Sequence, residues 1–412
     1  MKFSELTGKT IGIWGMGVEG KSTWACLEKH VPSAHLLEIT EENKEQTLPV
    51  CDVVIKSPGI SLYRPDIQAL VKQGKLTSAS NLFFANKDPS VRVIAVSGTK
   101  GKSTTSSLLA HTLSYLGVPV ELGGNIGVPL LDFIDKKNLT VVAELSSYQC
   151  SDLHYGPDIA LLTNLYPEHL QWHGSHQQYW LDKINMIKQA KTAVLNKTDV
   201  RTKRFGLTGI FFNNPALFHV RSGWFYKGKE KLFACSCLNL TGLHNAQNAC
   251  AVLTVIDLLG YDCKKCADCF HTFQPLAHRL QPVKTLGGVL FIDDSISTTP
   301  ETALSAMKAF KDKHITLIAG GLDRGQKWGA LANYVVKNNI SVITLPDTGA
   351  KIAKACQDKK GIVYEAKTMQ EAVTLAKEIS PANGIVLLSP ASPSYNMYKN
   401  YIERGEDFKK SI

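Results

Sequence analysis

The sequence predicts an α/β protein of three domains built on largely parallel sheets. Three observations carry that expectation. Short apolar runs, among them "TVVAEL", "IALLTNL", "GVLFIDDS", "HITLIAGG", "ISVITLPD" and "GIVLLSP", are separated by helical stretches, the alternation that builds parallel sheets. Two further runs enter glycine turns that lead straight into a helix. A chain of 412 residues is also too long for one ordinary core.

In chain order, residues 1–87 open with "TIGIWGMGVEGKSTWACLEKH", a strand, a glycine turn and a helix, and continue with "DVVIKSPGI", a strand ending in a Ser-Pro-Gly turn. Residues 88–276 begin with "VIAVSGTKGKSTTSSLLAHTL" and include a β-rich stretch, residues 211–240, without obvious chemistry. Residues 277–412 carry four of the apolar strands. Loops at the carboxyl ends of such strands hold the ligands of open α/β sheets, and most motifs fall there.

Composition excludes several classes. The chain is 44% hydrophobic and 20% charged, as in globular proteins, and no apolar run approaches the ~20 residues that span a bilayer. Its N-terminus lacks the apolar stretch and cleavage site of a secretory signal, so a cytoplasmic location is expected. The cysteines are scattered, which points to free thiols in a reducing compartment. Cys263, Cys266 and Cys269 have metal-like spacing, but a matching fourth ligand group is hard to see. Cys235 and Cys237 would need a long loop closure, and buried or idle thiols are the better reading. The net charge of +10 is spread without a dense basic run or interleaved aromatics, which suits attraction of small polyanions rather than nucleic acid.

In the second glycine turn, Gly98 and Gly101 let successive N–H groups converge on a phosphate. Lys102 would reach terminal phosphates, and Ser103 or Thr104 would coordinate Mg²⁺. Val96 stands where the first glycine of the full P-loop pattern belongs, so a plain strand–helix turn is the competing reading. Gly15, Gly17 and Gly20 match G-x-G-x-x-G, which seats a dinucleotide or the pyrophosphate of any nucleotide-linked ligand; the confirming acid, with Glu38 a candidate, is ambiguous. Glu144 ends a strand, where a carboxylate either holds a metal or is merely solvated. His169 and Lys183 have polar company, though a lone His is usually structural and a lone Lys a surface group.

Taken in order, "SPG", "GTKGKST", "GNIG", "ELSSYQ", "N-x4-H", "GLHNAQN", "HR", "DDS" and "SP-x4-YKNYIERGEDF" resemble the Mur ligase family over essentially the whole chain. These are the ATP-dependent amide-bond ligases of peptidoglycan precursor synthesis. The C-terminal pattern is most similar to the branch that adds glutamate to UDP-N-acetylmuramoyl-L-alanine. The resemblance implies a Rossmann-like N-terminal domain (1–87) for the UDP substrate and a central P-loop-type ATPase domain with a parallel sheet (88–276). It also implies a Rossmann-like α/β C-terminal domain (277–412) for the amino-acid acceptor.

Residue by residue, it implies that Gly15, Gly17, Val18, Glu19, Ser57, Pro58 and Gly59 bind the UDP part and Asn125 the muramoyl part. Gly98, Thr99, Lys100, Gly101, Lys102, Ser103 and Thr104 would hold the ATP phosphates. Asn245 and Asn248 would lie near adenine, and Arg279 and Asp294 would reach ATP from the C-terminal domain. Lys102, Glu144, His169 and Lys183 would be catalytic. Two Mg²⁺ ions would be organised by Ser103, Glu144, His169 and Lys183, the last as a carbamate, since CO₂ turns a cation that repels Mg²⁺ into an anion that can hold it. The γ-phosphate would pass to the alanyl carboxylate, and the glutamate amine would displace it.

Two departures stand out. Glu168 replaces the family's usual Asp, keeping a carboxylate. Ile296, in "DDSISTT", stands where a lysine usually helps bind the incoming glutamate, whereas Arg324 keeps the charge of a second acceptor-binding lysine. Thr298, Ser394, Tyr395 and Tyr401 take the remaining pocket positions. D-glutamate is the expected acceptor, with L-glutamate or another amino acid as the alternative. A catalytically inactive nucleotide-binding scaffold is the reading from another class; joint retention of Lys102, Glu144, His169, Lys183 and Arg279 opposes it. A monomer acting on small molecules, with no nucleic acid and no membrane insertion, is expected.

Overall fold

The apolar run "TIGIW" forms β1 (Thr10–Trp14). Beside it lie β2 (His35–Ile39), β3 (Val53–Lys56) and β4 (Leu76–Thr77), all parallel, in the order β2-β1-β3-β4. A second parallel sheet follows: β5 (Arg92–Ser97), β6 (Val120–Gly124), β7 (Thr140–Glu144), β8 (Ile159–Leu162), β9 (Thr192–Asn196) and β10 (Ile210–Phe212), in the order β10-β9-β8-β5-β7-β6. Strands of such sheets are covered on both faces, so they read as continuous apolar runs rather than alternating ones. Val93 to Val96 are accordingly all buried. In both sheets the first strand is internal and the chain leaves it to one side before crossing to the other. That reversal opens a crevice at the strand's carboxyl end, which is where both glycine turns lie.

The computed structural model describes residues 1–166, 170–240, 242–274 and 277–412. They divide into two units, Met1–Gln274 and Pro275–Ile412. The first unit includes both sheets because they share a core: Ile11, Ile13, Val53 and Ile55 pack with Val93, Ala95, Val141 and Ala143 in one buried cluster. The opposite face of the second sheet packs on the helices Lys102–Tyr115 and Leu243–Leu258. Cys250, Cys263, Cys266 and Cys269 are free, buried thiols in that core, with Cys235 and Cys237 half-buried at its margin. Among the described residues no His, Cys, Asp or Glu group is arranged to hold a metal by itself. The β-rich stretch forms an antiparallel sheet of β11 (Phe218–Arg221), β12 (Trp224–Lys227) and β13 (Glu230–Ala234).

The second unit holds β14 (Gln281–Leu286), β15 (Val289–Asp293), β16 (Ile315–Gly321), β17 (Ser341–Asp347), β18 (Val363–Glu365) and β19 (Ile385–Leu388). Their order is β14-β15-β19-β16-β17-β18, parallel except for the β14–β15 hairpin, with an apolar core on each face. Among the described residues no helix is long and apolar enough to cross a membrane.

Candidate functional site

The loop after β5 is braced from both sides. Gly98 has φ +141°, and a Cβ there would sit 2.0 Å from Thr163 Oγ1. Gly101 is left-handed (φ +80°) and caps the helix Lys102–Tyr115; its Cβ would meet Asn248 Nδ2 at 2.6 Å. Only glycine tolerates both the dihedral and the contact. Between them, Lys100 N–H donates to Asn164 Oδ1 (2.8 Å), while Thr163 Oγ1–H and Asn164 Nδ2–H donate to Lys100 O (2.7 and 2.9 Å). Thr99 N–H donates to Asn164 O (2.8 Å). Lys102 Nζ–H folds back onto Thr99 O (3.1 Å) at the helix N-terminus. A rigid turn that feeds a helix start is a ready anion cradle, because the first amides of the helix lack intrahelical acceptors and the helix dipole favours negative charge there. Asn248 thus presses on the phosphate loop, in the same helix start as Asn245.

Glu144 ends β7 opposite Val96 of β5, so it stands on the strand next to the one that feeds the loop. It is 1% exposed. Oε1 accepts from Asn125 Nδ2–H (2.7 Å), and Asn125 N–H donates to Glu144 O (2.8 Å). Oε2 is buried with no hydrogen-bond partner among the described residues. An unpartnered buried carboxylate oxygen is costly, and a divalent cation is the partner that offsets that cost. Ser103, itself buried, supplies a hydroxyl at the start of the adjoining helix. These donors are hard oxygens, which fit Mg²⁺. Lys183 is also buried, its Nζ 3.4 Å from Ser97 Oγ and 5.2 Å from the Tyr179 ring. Cys150, beside Ser97, has its thiol pushed up to about 11 by burial. His169 lies outside the described residues, as does Glu168.

The first glycine turn faces the Ser57-Pro58-Gly59 turn. Ser57 N–H donates to Trp14 O (2.8 Å), and a Cβ on Gly15 (φ +98°) would come within 2.8 Å of Ser57 Cβ. A Cβ on Gly20 would lie 2.1 Å from Gly15 O, whereas at Gly17 it would meet nothing within 4 Å. So Gly15 and Gly20 are demanded by packing, and Gly17 keeps space open. Val18 is 76% exposed beside it, and Glu19 is half-buried with its carboxyl raised above the ordinary range by burial.

The sequence matches profiles of the Mur ligase middle domain over residues 96–256 and of the Mur ligase glutamate ligase domain over residues 278–392. It is 36% identical over 448 aligned residues to a UDP-N-acetylmuramoyl-L-alanine–L-glutamate ligase of Salinispora tropica, covering 100% of this chain and 99% of that one. The chain belongs to the Mur ligase family. A ligase of the same description from Xanthomonas campestris pv. campestris is 34% identical over 99% of this chain and 96% of its own. The fold is similar to that of UDP-N-acetylmuramate–alanine ligase MurC of Thermotoga maritima, with a TM-score of 0.59 and 21% identity, covering 98% of each chain. As a Mur ligase, this chain is an ATP-dependent amide-bond ligase.

In the second unit of this Mur ligase, Asp294 is 2% exposed and turned inward. It accepts from Ser389 Oγ–H (2.7 Å) and Leu280 N–H (3.1 Å), so it shapes the turn that carries Arg279. That turn is tight: His278 and Leu280 have φ of +61° and +43°. Burial raises the Asp294 carboxyl to about 6. Arg324 is exposed with its guanidinium 5.7 Å from the Tyr395 ring, and Leu322 N–H donates to Pro393 O (2.8 Å), so residues 322–324 and 393–395 adjoin. Ser394 is buried, Thr298, Ile296 and Tyr401 are half-buried, and Tyr401 stands edge-on to His278.

Sequence reasoning passed over several buried polar groups. Arg404 is 1% exposed and donates to Ser295 O (2.9 Å), Ser295 Oγ (3.0 Å) and Ser392 O (3.0 Å), tying together the carboxyl ends of β15 and β19. Lys56 ends β3 and pairs with Asp152 (3.3 Å). His173 is held by Asp182. A lysine ending an otherwise apolar strand was a readable signal for the first pair; nothing local announced the second.

Proposed function

We propose that this ligase joins the amine of L-glutamate to the alanyl carboxylate of UDP-N-acetylmuramoyl-L-alanine, consuming ATP. The observation that carries the reading is a braced phosphate loop whose neighbouring strand ends in a buried carboxylate with one oxygen unpartnered among the described residues. That pairing suits a polyphosphate and a divalent cation held side by side. Residues 1–87 are assigned to the UDP substrate, 88–276 to ATP and 277–412 to the acceptor.

The carboxylate is a poor electrophile because its leaving group would be oxide. Its oxygen therefore attacks the γ-phosphorus, the β–γ bridge breaks and ADP leaves. The glutamate amine then adds to the acyl carbon, and phosphate departs with the former carboxylate oxygen. Lys102 and the amides at the helix start, Gly101 to Thr104, hold the phosphates while anion meets anion, with Thr99 and Lys100 braced on Asn164 to fix the loop. Ser103, Glu144, His169 and Lys183 as a carbamate would hold Mg²⁺, which would offset the charge building between the two reactants. Asn125 fixes the Glu144 carboxylate through Oε1 and is assigned to the muramoyl part. Gly17 leaves room for the UDP backbone beside Val18, Glu19 and Ser57–Gly59. Asn245 and Asn248 are assigned to the adenine side of the loop, and Arg279 to ATP, with Asp294 setting its turn.

The acceptor is glutamate because the relatives' names carry it and Arg324 retains a cation for a carboxylate. The L configuration is supported by those same names and by Ile296, an apolar side chain where the D-glutamate branch usually keeps lysine. Thr298, Ser394, Tyr395 and Tyr401 complete that pocket. A cytoplasmic monomer accords with soluble nucleotide-linked substrates. The reading is tested by supplying ATP, Mg²⁺ and UDP-N-acetylmuramoyl-L-alanine with an equimolar mixture of the two glutamates. Chiral analysis of the hydrolysed product should find L-glutamate; D-glutamate in the product would overturn the assignment.

A further inference from the structure

The Ser57–Gly59 turn and the Lys183 helix belong to different sheets, yet one chain of buried polar groups joins them. Tyr63, shortly after the turn, donates its hydroxyl to Asp182 Oδ1 (2.5 Å), which also accepts from Gln178 Nε2–H (2.9 Å). Asp182 Oδ2 accepts from His173 Nδ1 (2.5 Å), leaving Nε2 to accept from Ser147 Oγ–H (3.0 Å). Asp182 immediately precedes Lys183, and Ser147 follows Glu144 by three residues. The His173 ring also stands edge-on to Tyr179 at 5.1 Å, and Tyr179 Oη lies 2.9 Å from Thr99 Oγ1 of the phosphate loop. Two more bonds bind the same segments: Ser61 Oγ–H to Trp172 O (2.6 Å) and Trp172 Nε1–H to Gly59 O (3.2 Å).

Ser147, His173 and Asp182 have the connectivity of a hydrolytic triad, but Ser147 and His173 are 3% and 2% exposed beneath the stacked rings of Tyr148 and Trp172. No substrate reaches a serine placed there, so the array positions rather than reacts. Gln178 and His173 satisfy Asp182 from its own segment, and the Tyr63 hydroxyl is the bond that adds the chain following Ser57–Gly59 to this buried array.

We propose that Tyr63, Asp182 and His173 are positioning residues of the ligase reaction, fixing the UDP-substrate turn against the Lys183 helix so that substrate and the phosphate loop share one register. The inference rests on the proposed assignment of Ser57–Gly59 to the UDP substrate and of Glu144 and Lys183 to the metal.

The test uses the full chain with ATP, Mg²⁺, L-glutamate and UDP-N-acetylmuramoyl-L-alanine, comparing wild type, Tyr63→Phe, Asp182→Asn and their double variant. Tyr63→Phe keeps the ring and leaves Gln178 on Asp182, so folding is preserved. A hydrogen bond to a charged group is lost, and KM for the UDP substrate should rise about tenfold, with kcat and the ATP KM within about twofold. Asp182→Asn breaks the link on both sides, so its kcat should also fall, by about 100-fold. The double variant's KM should match that of Asp182→Asn alone, because both changes cut the same chain. A merely structural role would lower the active fraction, and so the apparent kcat, at unchanged KM; that result, or additive KM effects, overturns the inference while the reaction stands. If wild type fails to turn over the UDP substrate, the proposed reaction falls and the inference with it.

Discussion

The tetrapeptide Gly-Lys-Ser-Thr occurs twice, at residues 20–23 and 101–104, each time after a parallel strand and a glycine turn. The first copy even completes the full P-loop spacing from Gly15, which the second lacks. Geometry reverses that ranking. In the first copy the helix Val18–His30 has already begun, Lys21 N–H donates to Gly17 O (3.0 Å), Lys21 is exposed, and Ser22 Oγ–H donates to Asp132 Oδ1 (2.5 Å). In the second the helix begins at Lys102 itself, and helical bonding starts with Thr105 N–H donating to Gly101 O (2.9 Å). Where the helix starts relative to the lysine decides which copy presents an anion cradle. The strand next to β5 ends in Glu144, whose buried Oε2 has no hydrogen-bond partner among the described residues, which is why the proposed metal-bound polyphosphate is assigned to the second copy.

The contrast breaks most visibly through the two lysines. Lys102→Ala should lower kcat on the order of 10³-fold, the scale expected for losing a cation on a transferring phosphoryl group. Lys21→Ala should leave kcat within about threefold. Phosphate release from the two purified variants measures both; equal losses would merge the two loops into one role.

Glu144→Gln sharpens the metal half of the comparison. The Mg²⁺ concentration for half-maximal rate should rise at least about tenfold. The thermal midpoint without metal should not fall, because the Gln oxygen can keep the Asn125 bond while the oxygen left without a partner among the described residues is removed. A drop in stability with unchanged Mg²⁺ dependence would make Glu144 a structural carboxylate.

The glycines separate packing from ligand space. Gly98→Ala places a Cβ 2.0 Å from Thr163 Oγ1 at φ +141°. It should cost about 2 kcal/mol or more in chemical denaturation. Gly17→Ala meets only open space, so stability should hold while KM for the UDP substrate rises several-fold, as steady-state kinetics would show.

The last expected effect is one of pH, in the second unit. The Asp294 carboxyl is raised to about 6 when folded from an ordinary 3.8, so the folded state binds more protons between those values. Stability of that unit should therefore fall as pH rises from about 4 to about 6, and be fully regained only below the unfolded value. The size is at most about 3 kcal/mol. Asp294→Asn should flatten that segment of the stability–pH curve, followed by thermal unfolding at each pH.

Much of this was legible beforehand. The apolar runs became the expected parallel strands because sheets buried on both faces leave no alternation to misread. Gly98, Gly101 and Glu144 fall at strand ends, which sequence can locate. What could not be read was contact between distant segments. The shared core of the first two sheets and the Tyr63–Asp182–His173 chain depend on contacts between distant segments that no local pattern encodes; at Lys56 the strand-ending lysine was readable, its partner Asp152 was not. Nor did composition foretell the fate of the GKST copies, since residue types were identical and only the helix register differed. Asp294, expected at ATP, is buried and accepts from Leu280 N–H in the turn that carries Arg279, a contact that sequence does not announce.

The central claim is that the γ-phosphate is passed to a carboxylate. The most direct test starts from UDP-N-acetylmuramoyl-L-alanine with ¹⁸O in both oxygens of its alanyl carboxylate, with ATP, Mg²⁺ and L-glutamate, and reads the mass of the phosphate released. Attack by the carboxylate on the γ-phosphorus predicts one ¹⁸O in each phosphate. Phosphate free of ¹⁸O, with amide still formed, would contradict it.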